Sequence, residues 1–363
     1  MNKSKGPIGF YFDKYSNEQM CTQLELGGHA TKEFVRFFDQ DYLKQFFRAV
    51  RKKGNSYKSI YNDVILSGYN PKYISVMKKT IDDDTGYYNQ NAMYDVAGSR
   101  IANLLGVPTA YNFIFTERNI DEDGYEDTLN TEMLSVDFAD HGKDMMDLSE
   151  AIDRLSVDDL KRFDIHINKD SLFTDLLLED WFKIFNNLPD MNSPIPKSLL
   201  TSENLEKVKK EFIKMYFFRS YIIDDEDLEP RNVALRFNKE QGLLELAPSH
   251  DYDFSFKPLS HVLYKLSASN DINYCLKHYP DVVEDIMKGY ANLRKKYGVY
   301  LDDKNELIGE EYCDLYKSLK DELQDSSTAE HVTSSVIRNF KRLTDIYKEC
   351  KNEFKKTNSV SVM

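Results

Sequence analysis

The chain changes its hydrophobic period near residue 138, and that change constrains its fold more than any other feature. Before it, Tyr73–Lys79, Tyr111–Glu117 and Thr131–Phe138 read as strands, with a shorter one at Val64–Ser67. After it, apolar residues recur three and four apart in Ser149–Leu155, Ser171–Phe185 and Asn204–Ile223, which is helical spacing. Leu259–Phe354 continues in that manner. Runs of strands followed by runs of helices predict an α+β fold. The layout is bilobal, with a small β-rich N-lobe at 51–138 and a larger, mainly helical C-lobe at 139–363. Residues 1–50 form an extension that packs on the N-lobe.

Two exceptions interrupt this segregation. Thr31–Val50 reads as an aromatic-rich helix, and Asn91–Leu105 is a second one, with Met93, Val96, Ala97, Ile101, Leu104 and Leu105 at helical spacing and Gly106 as its stop. In the helical half, Asn187–Ser202 carries three prolines and reads as a loop. Val233–Phe237 and Leu243–Leu246 are the only strand pair expected there, turned by Lys239-Glu240-Gln241-Gly242.

At 363 residues, with 24 Tyr and 22 Phe, the chain can bury a substantial core. Its net charge of −13 argues against unassisted binding to a nucleic-acid backbone, which wants a basic patch. Four scattered cysteines with no C-x-x-C pair suggest free thiols in a reducing compartment rather than disulfides or zinc. The N-terminus has no apolar signal core and no apolar run reaches membrane-spanning length. A soluble, cytoplasmic protein is expected; an exported effector would look the same.

The stretch that carries chemistry runs from Asp227 to Asp251. Asp227 begins Asp-Leu-Glu-Pro-Arg-Asn, which ends at Asn232; the strand pair follows, and Leu246-Ala247-Pro248 leads to Asp251. Phosphoryl transfer from ATP uses side chains in this order: a carboxylate that orients the attacking hydroxyl, then an amide oxygen and a second carboxylate that hold Mg²⁺. Asp-x-x-x-x-Asn alone is a weak signal. The long helix before it and the hairpin after it strengthen it.

A phosphate-binding lysine is expected on a strand of the other half. Tyr73–Lys79 places Ile74, Val76 and Lys78 on one face, favouring Lys78 over Lys79. Asp95, on the helix that follows, would orient its ammonium. Gly54, Asn55 and Ser56 are the best candidates for a loop whose N–H groups turn toward phosphate. Ser135–Phe138, including Val136 and Phe138, would meet the adenine edge. Asp224, Asp225, Glu226 and Asp253 read as a solvated acidic run; a two-metal nuclease would use such a cluster but lacks a basic surface here. His141 and His250 show no ligand or triad pattern and read as structural.

On these residues the chain resembles the HipA-like Ser/Thr protein kinases, in particular the compact effector-type members, over roughly 50–260. The shared features are the lysine strand, Ile101–Pro108, Val136–Phe138, the Asp-x-x-x-x-Asn loop and Leu246–Asp251. The resemblance implies a protein-kinase-like fold and an ATP- and Mg²⁺-dependent transfer to Ser or Thr of a protein. It implies Asp227 as catalytic Asp, Asn232 and Asp251 as metal ligands and Lys78 as phosphate-binding Lys. It also implies autophosphorylation, for which Ser56 or Ser59 is placed. Where that family usually has His, this chain has Glu229, and Asp95 stands where Glu is usual. A carboxylate near the transferring phosphoryl group costs about 1–4 kcal/mol at 4 Å separation, and Arg231 is the cation at hand to oppose it. These departures keep two alternatives open: a nucleotide-binding pseudokinase or interaction module, and a small-molecule phosphotransferase.

Overall fold

The computed structural model describes residues 20–26, 32–37, 74–80, 90–110, 112–120, 126–136, 144–165, 176–252, 255–256, 261–296, 314–323 and 325–360. The fold is α+β, and the chain divides into two compact units. The first comprises Met1–Gly142, His250–Asp253 and Asp314–Thr333; the second comprises Lys143–Ser249, Phe254–Cys313 and Ser334–Met363.

In the first unit the described strands form an antiparallel sheet in the order β1-β2-β3-β5-β4. Their ranges are β1 Met20–Leu26, β2 Lys32–Phe37, β3 Ile74–Thr80, β4 Asn112–Ile120 and β5 Glu126–Val136. β2 corrects the helix expected from Thr31. Phe34, Val35 and Phe37 favour strand, and the segment pairs on both sides, with β1 and β3, which outweighs its helical spacing. Val64–Ser67 and the remainder of the expected 31–50 helix lie outside the described residues.

Helix α1, Gln90–Leu105, buries Ala92, Met93, Val96, Ala97, Ile101 and Ala102. It stops where the sequence puts Gly106: φ there is +72°, and Val107 N–H returns to Ala102 O at 2.9 Å, closing the last turn. Ser99 Oγ donates to Ala110 O at 2.6 Å and ties the helix to the chain entering β4. α8, Asp314–Leu323, is tied to α1 by the ion pair of Arg100 Nε with Glu322 Oε2 at 3.3 Å.

The second unit carries the strand pair β7 Ala234–Asn238 and β8 Leu243–Leu246, as the alternation predicts. A third strand, β6 Asp144–Asp147, pairs with β7, so the hairpin is not alone. Around it lie α2 Leu148–Asp153, α3 Val157–Arg162, α4 Leu178–Asn187, α5 Ser202–Phe217, α6 His261–His278 and α7 Pro280–Lys296. α9, Ser326–Val360, follows α8. The expected loop 187–202 contains two short 3-10 turns. α4 begins at Leu178, after an extended Leu177, and residues 171–175 of the expected Ser171–Phe185 helix lie outside the described residues.

The core of this unit is aromatic. Trp181 and Phe185 each lie 5.0 Å from Phe212, ring centre to ring centre, a spacing at which tilted aromatic pairs attract. A buried polar knot interrupts it: the Asp271 carboxylate accepts from the hydroxyls of Tyr216 and Tyr221. Burial pushes the Asp271 pKa up to about 6 even though those hydroxyls favour its charged form. No helix among the described residues is long and apolar enough to cross a membrane.

Candidate active site

α5 does not run straight into the Asp227 loop. At Phe218–Ile222 it widens into a π-helical turn, which rotates the following residues relative to α5's apolar stripe. Arg219 is thereby turned fully inward. Its Nε donates to Asp225 Oδ2, its carbonyl accepts Asp225 N–H at 2.9 Å, and its Nη2 reaches the Asp227 carbonyl at 3.4 Å. Asp225 Oδ1 in turn accepts Asp227 N–H at 3.0 Å. Burial raises the Asp225 pKa while the Arg219 guanidinium opposes the shift. A buried ion pair whose remaining oxygen takes a main-chain N–H is the arrangement in which such a pair is tolerated.

Asp224, just before it, adopts φ +47° and is held by α9: Asn339 Nδ2 donates to Asp224 Oδ2 at 2.8 Å and to Ile222 O at 3.1 Å. Burial pushes the Asp224 pKa up to about 6. The acidic run is therefore not a solvated helix end. Asp224 and Asp225 are buried struts, and only Glu226 is exposed. Asp253 lies outside the described residues.

This scaffold presents Asp227 and Asn232 together. Asn232 Nδ2 donates to the Asp227 carbonyl at 2.8 Å and to Asp227 Oδ2 at 2.9 Å. Both bonds use the nitrogen side of the amide, so Asn232 Oδ1 is not spent on the loop. Pro230 opens the short 3-10 turn Pro230–Asn232 that makes this five-residue reach possible. Arg231, its side chain 53% exposed, forks to Asp227 Oδ1 at 2.9 Å and Glu229 Oε2 at 3.0 Å. Glu229 is nearly buried, and burial raises its pKa against the pull of Arg231. The negative charge at position 229 is thus paired within its own loop.

The first unit holds the other predicted residues. Lys78 lies on β3 opposite Glu33 of β2 and Leu134 of β5; Lys79 lies opposite Lys32 and Met133. Val136 ends β5 opposite Val76. Gly54, Asn55, Ser56, Ser59, Phe138 and His141 lie outside the described residues. Asp95 is buried on α1, and its Oδ1 accepts the main-chain N–H of Tyr252, the residue after Asp251. Asp251 is in the left-handed region at φ +59°. Arg219, Gly98 and Tyr252 carry weight in these two groups and were not singled out by sequence reasoning. An arginine within a long apolar helix run was the one available signal.

No protein-family model matches the chain, and no curated protein matches it. Among solved structures, that of the Helicobacter pylori proinflammatory kinase CtkA is similar over 94% of this chain and 97% of that one. The identity is 11% and the TM-score 0.48, a likeness too slight to carry an argument about fold or chemistry.

An amide oxygen such as Asn232 Oδ1 and a carboxylate such as that of Asp251 are each a ligand type that a hard divalent cation takes, and the two residues belong to different units. Mg²⁺ binds protein through one or two such oxygens and completes its shell with water and substrate phosphates. Accordingly, it needs no cluster of three or more protein carboxylates or histidines, and none occurs among the described residues.

Proposed function

We propose that the protein is an ATP- and Mg²⁺-dependent phosphotransferase of the HipA-like protein-kinase type, acting on Ser or Thr of a protein. The observation that carries the reading is the clamp of Asn232 on Asp227. One amide fixes both the carbonyl and the carboxylate of the candidate catalytic residue while keeping its own oxygen for a metal.

In this reading Asp227 orients the acceptor hydroxyl and takes its proton through Oδ1 as the γ-phosphoryl group leaves ATP. Asn232 Oδ1 and the Asp251 carboxylate would hold Mg²⁺, which when bound neutralises the nucleotide phosphates. Lys78 would contact the α- and β-phosphates, Gly54, Asn55 and Ser56 would supply the loop that covers them, and Val136 and Phe138 would line the adenine. The protein's contribution is positioning and fixed charge, which dominate catalysis of this reaction class. Arg231 supplies the cation that Glu229 appeared to deny the site.

The same fork supports a second reading. Arg231 sits on Asp227 Oδ1, the oxygen an acceptor hydroxyl would need. A loop locked in that state would bind nucleotide without turnover. Because Arg231 is half exposed, its pair with Asp227 is worth about 0–1 kcal/mol, little enough for a substrate hydroxyl to displace, and the active reading is favoured. Transfer of labelled γ-phosphate to the protein itself and to a generic basic protein tests it. Nucleotide binding without transfer would establish the second reading instead.

A further inference from the structure

Asp251 adopts a backbone conformation that costs an L-residue about 1–2 kcal/mol. Such a conformation persists only where the surroundings over-determine it. Here the surroundings are one face of α1 and the turn after it, and they act on the neighbouring residue. Tyr252 is wholly buried and is gripped at three separated points. Its N–H donates to Asp95 Oδ1. Its ring lies directly on Gly98, where an added Cβ would fall 2.6 Å from Cγ and 2.7 Å from Cδ2. Its hydroxyl meets Thr109 Oγ1 at 2.8 Å.

Three points that are not collinear fix both the position and the rotation of a residue. With Tyr252 fixed, the peptide that joins it to Asp251 is fixed, and with it the Asp251 Cα, so that rotation about the Asp251 Cα–C bond is the one main-chain freedom left to aim its side chain. A glycine inside a helix costs about 1 kcal/mol relative to alanine. At 98 only glycine admits the ring. The aspartate at 95 has a matching explanation: glutamate would carry its oxygen one methylene too far to meet Tyr252 N–H in so closed a setting.

We propose that Asp95, with Gly98 and Thr109, forms a seat for Tyr252 that sets the conformation of Asp251, making Asp95 a positioning residue for the metal-binding carboxylate. Asp95 then acts as an acceptor for a main-chain N–H, a role distinct from orienting Lys78. The consequence for metal binding rests on the phosphotransferase reading; the seat itself does not.

Hydrogen exchange at Tyr252 N–H and binding of Mn²⁺·ATP, compared across four variants of the full chain, test this. The acceptor role ranks Asp95→Asn above Asp95→Glu, because asparagine keeps an oxygen at the same reach. A role in charge pairing with Lys78 ranks them in reverse, because only glutamate keeps the charge. The expected result is Tyr252 N–H exchange at least tenfold faster in Asp95→Glu and Gly98→Ala, and about threefold faster in Asp95→Asn. Mn²⁺·ATP affinity should fall in the same order, with Asp251→Ala weakest, while metal-free ATP binds all variants alike. Exchange in Asp95→Glu as slow as in the unmodified protein, or slower than in Asp95→Asn, overturns the seat. Should Gly98→Ala not fold, the Asp95 pair decides alone. Loss of protection in the predicted order with Mn²⁺·ATP binding unchanged in Asp251→Ala would uphold the seat and refute the phosphotransferase assignment of Asp251.

Discussion

Arg219 and Asp225 form an ion pair from which water is wholly excluded, and breaking it from either side has different consequences. Arg219→Met strands a carboxylate whose pKa burial already raises, so it takes up a proton and becomes neutral. Asp225→Asn strands a guanidinium, which cannot lose its proton in a protein. Each single change should cost about 3–5 kcal/mol, with Asp225→Asn at the upper end, whereas the double change removes both charges and should recover most of the loss. The two single costs sum to about 6–10 kcal/mol, so with a double change costing about 1–2 kcal/mol a coupling energy of about 5–8 kcal/mol is expected. The sign of the pH dependence separates the variants further. In Arg219→Met the folded pKa of Asp225 lies above its unfolded value, so the penalty appears as pH rises past about 3.9 and shrinks as pH falls toward it. The Asp225→Asn penalty stays constant. The single tryptophan, Trp181, is buried in the same unit as the pair, and its fluorescence in a urea titration follows this unit. Effects that add within about 0.5 kcal/mol would refute the claim that the two charges are buried as a pair.

Further outcomes follow from the same geometry. Asp271 has a folded pKa of about 6 against 3.8 ordinarily, so its ionisation removes stability as pH rises from about 4 to 6. The gap between 3.8 and about 6 corresponds to about 3 kcal/mol. Asp271→Asn keeps an acceptor for Tyr216 and Tyr221, and its denaturation midpoint relative to the unmodified protein should climb across that interval; a constant difference would contradict the buried charge. Arg231→Ala should lower phosphoryl transfer about 10- to 100-fold, the equivalent of one charge-assisted contact of about 1.5–3 kcal/mol. Added guanidinium should partly restore it, and full activity without Arg231 would remove it from the chemistry. Asn232→Ala should weaken Mn²⁺·ATP binding more than metal-free ATP binding; equal weakening of both would show that the amide oxygen is not a ligand.

The parts of this structure that were legible in the sequence are those whose causes are local. Gly106 ends α1 because only a left-handed residue closes that turn, and a Gly after an apolar stripe announces it. The Asp227–Asn232 reach is five residues long and is set by Pro230. What was hidden depends on distant partners. β6, Asp-Met-Met-Asp, has no β-branched residue and is a strand because β7 offers it an edge. β2 is a strand for the same reason. Arg219 reads as a polar position on an amphipathic helix until the π-helical turn rotates it inward, and no residue type in Phe218–Ile222 signals that turn. Asp95 finds its acceptor role with Tyr252, far along the chain, so the sequence suggested only its nearer candidate, Lys78.

The central claim is that Asp227 and Asp251 serve one phosphoryl transfer. Transfer of labelled γ-phosphate from Mg²⁺·ATP, with the unmodified protein beside Asp227→Asn and Asp251→Ala, tests it most directly. Label that appears with the unmodified protein and is lost in both variants is the predicted result. Label that survives Asp227→Asn would contradict the account, because the reaction would then take place without the residue that Arg219, Asp225 and Asn232 converge to hold.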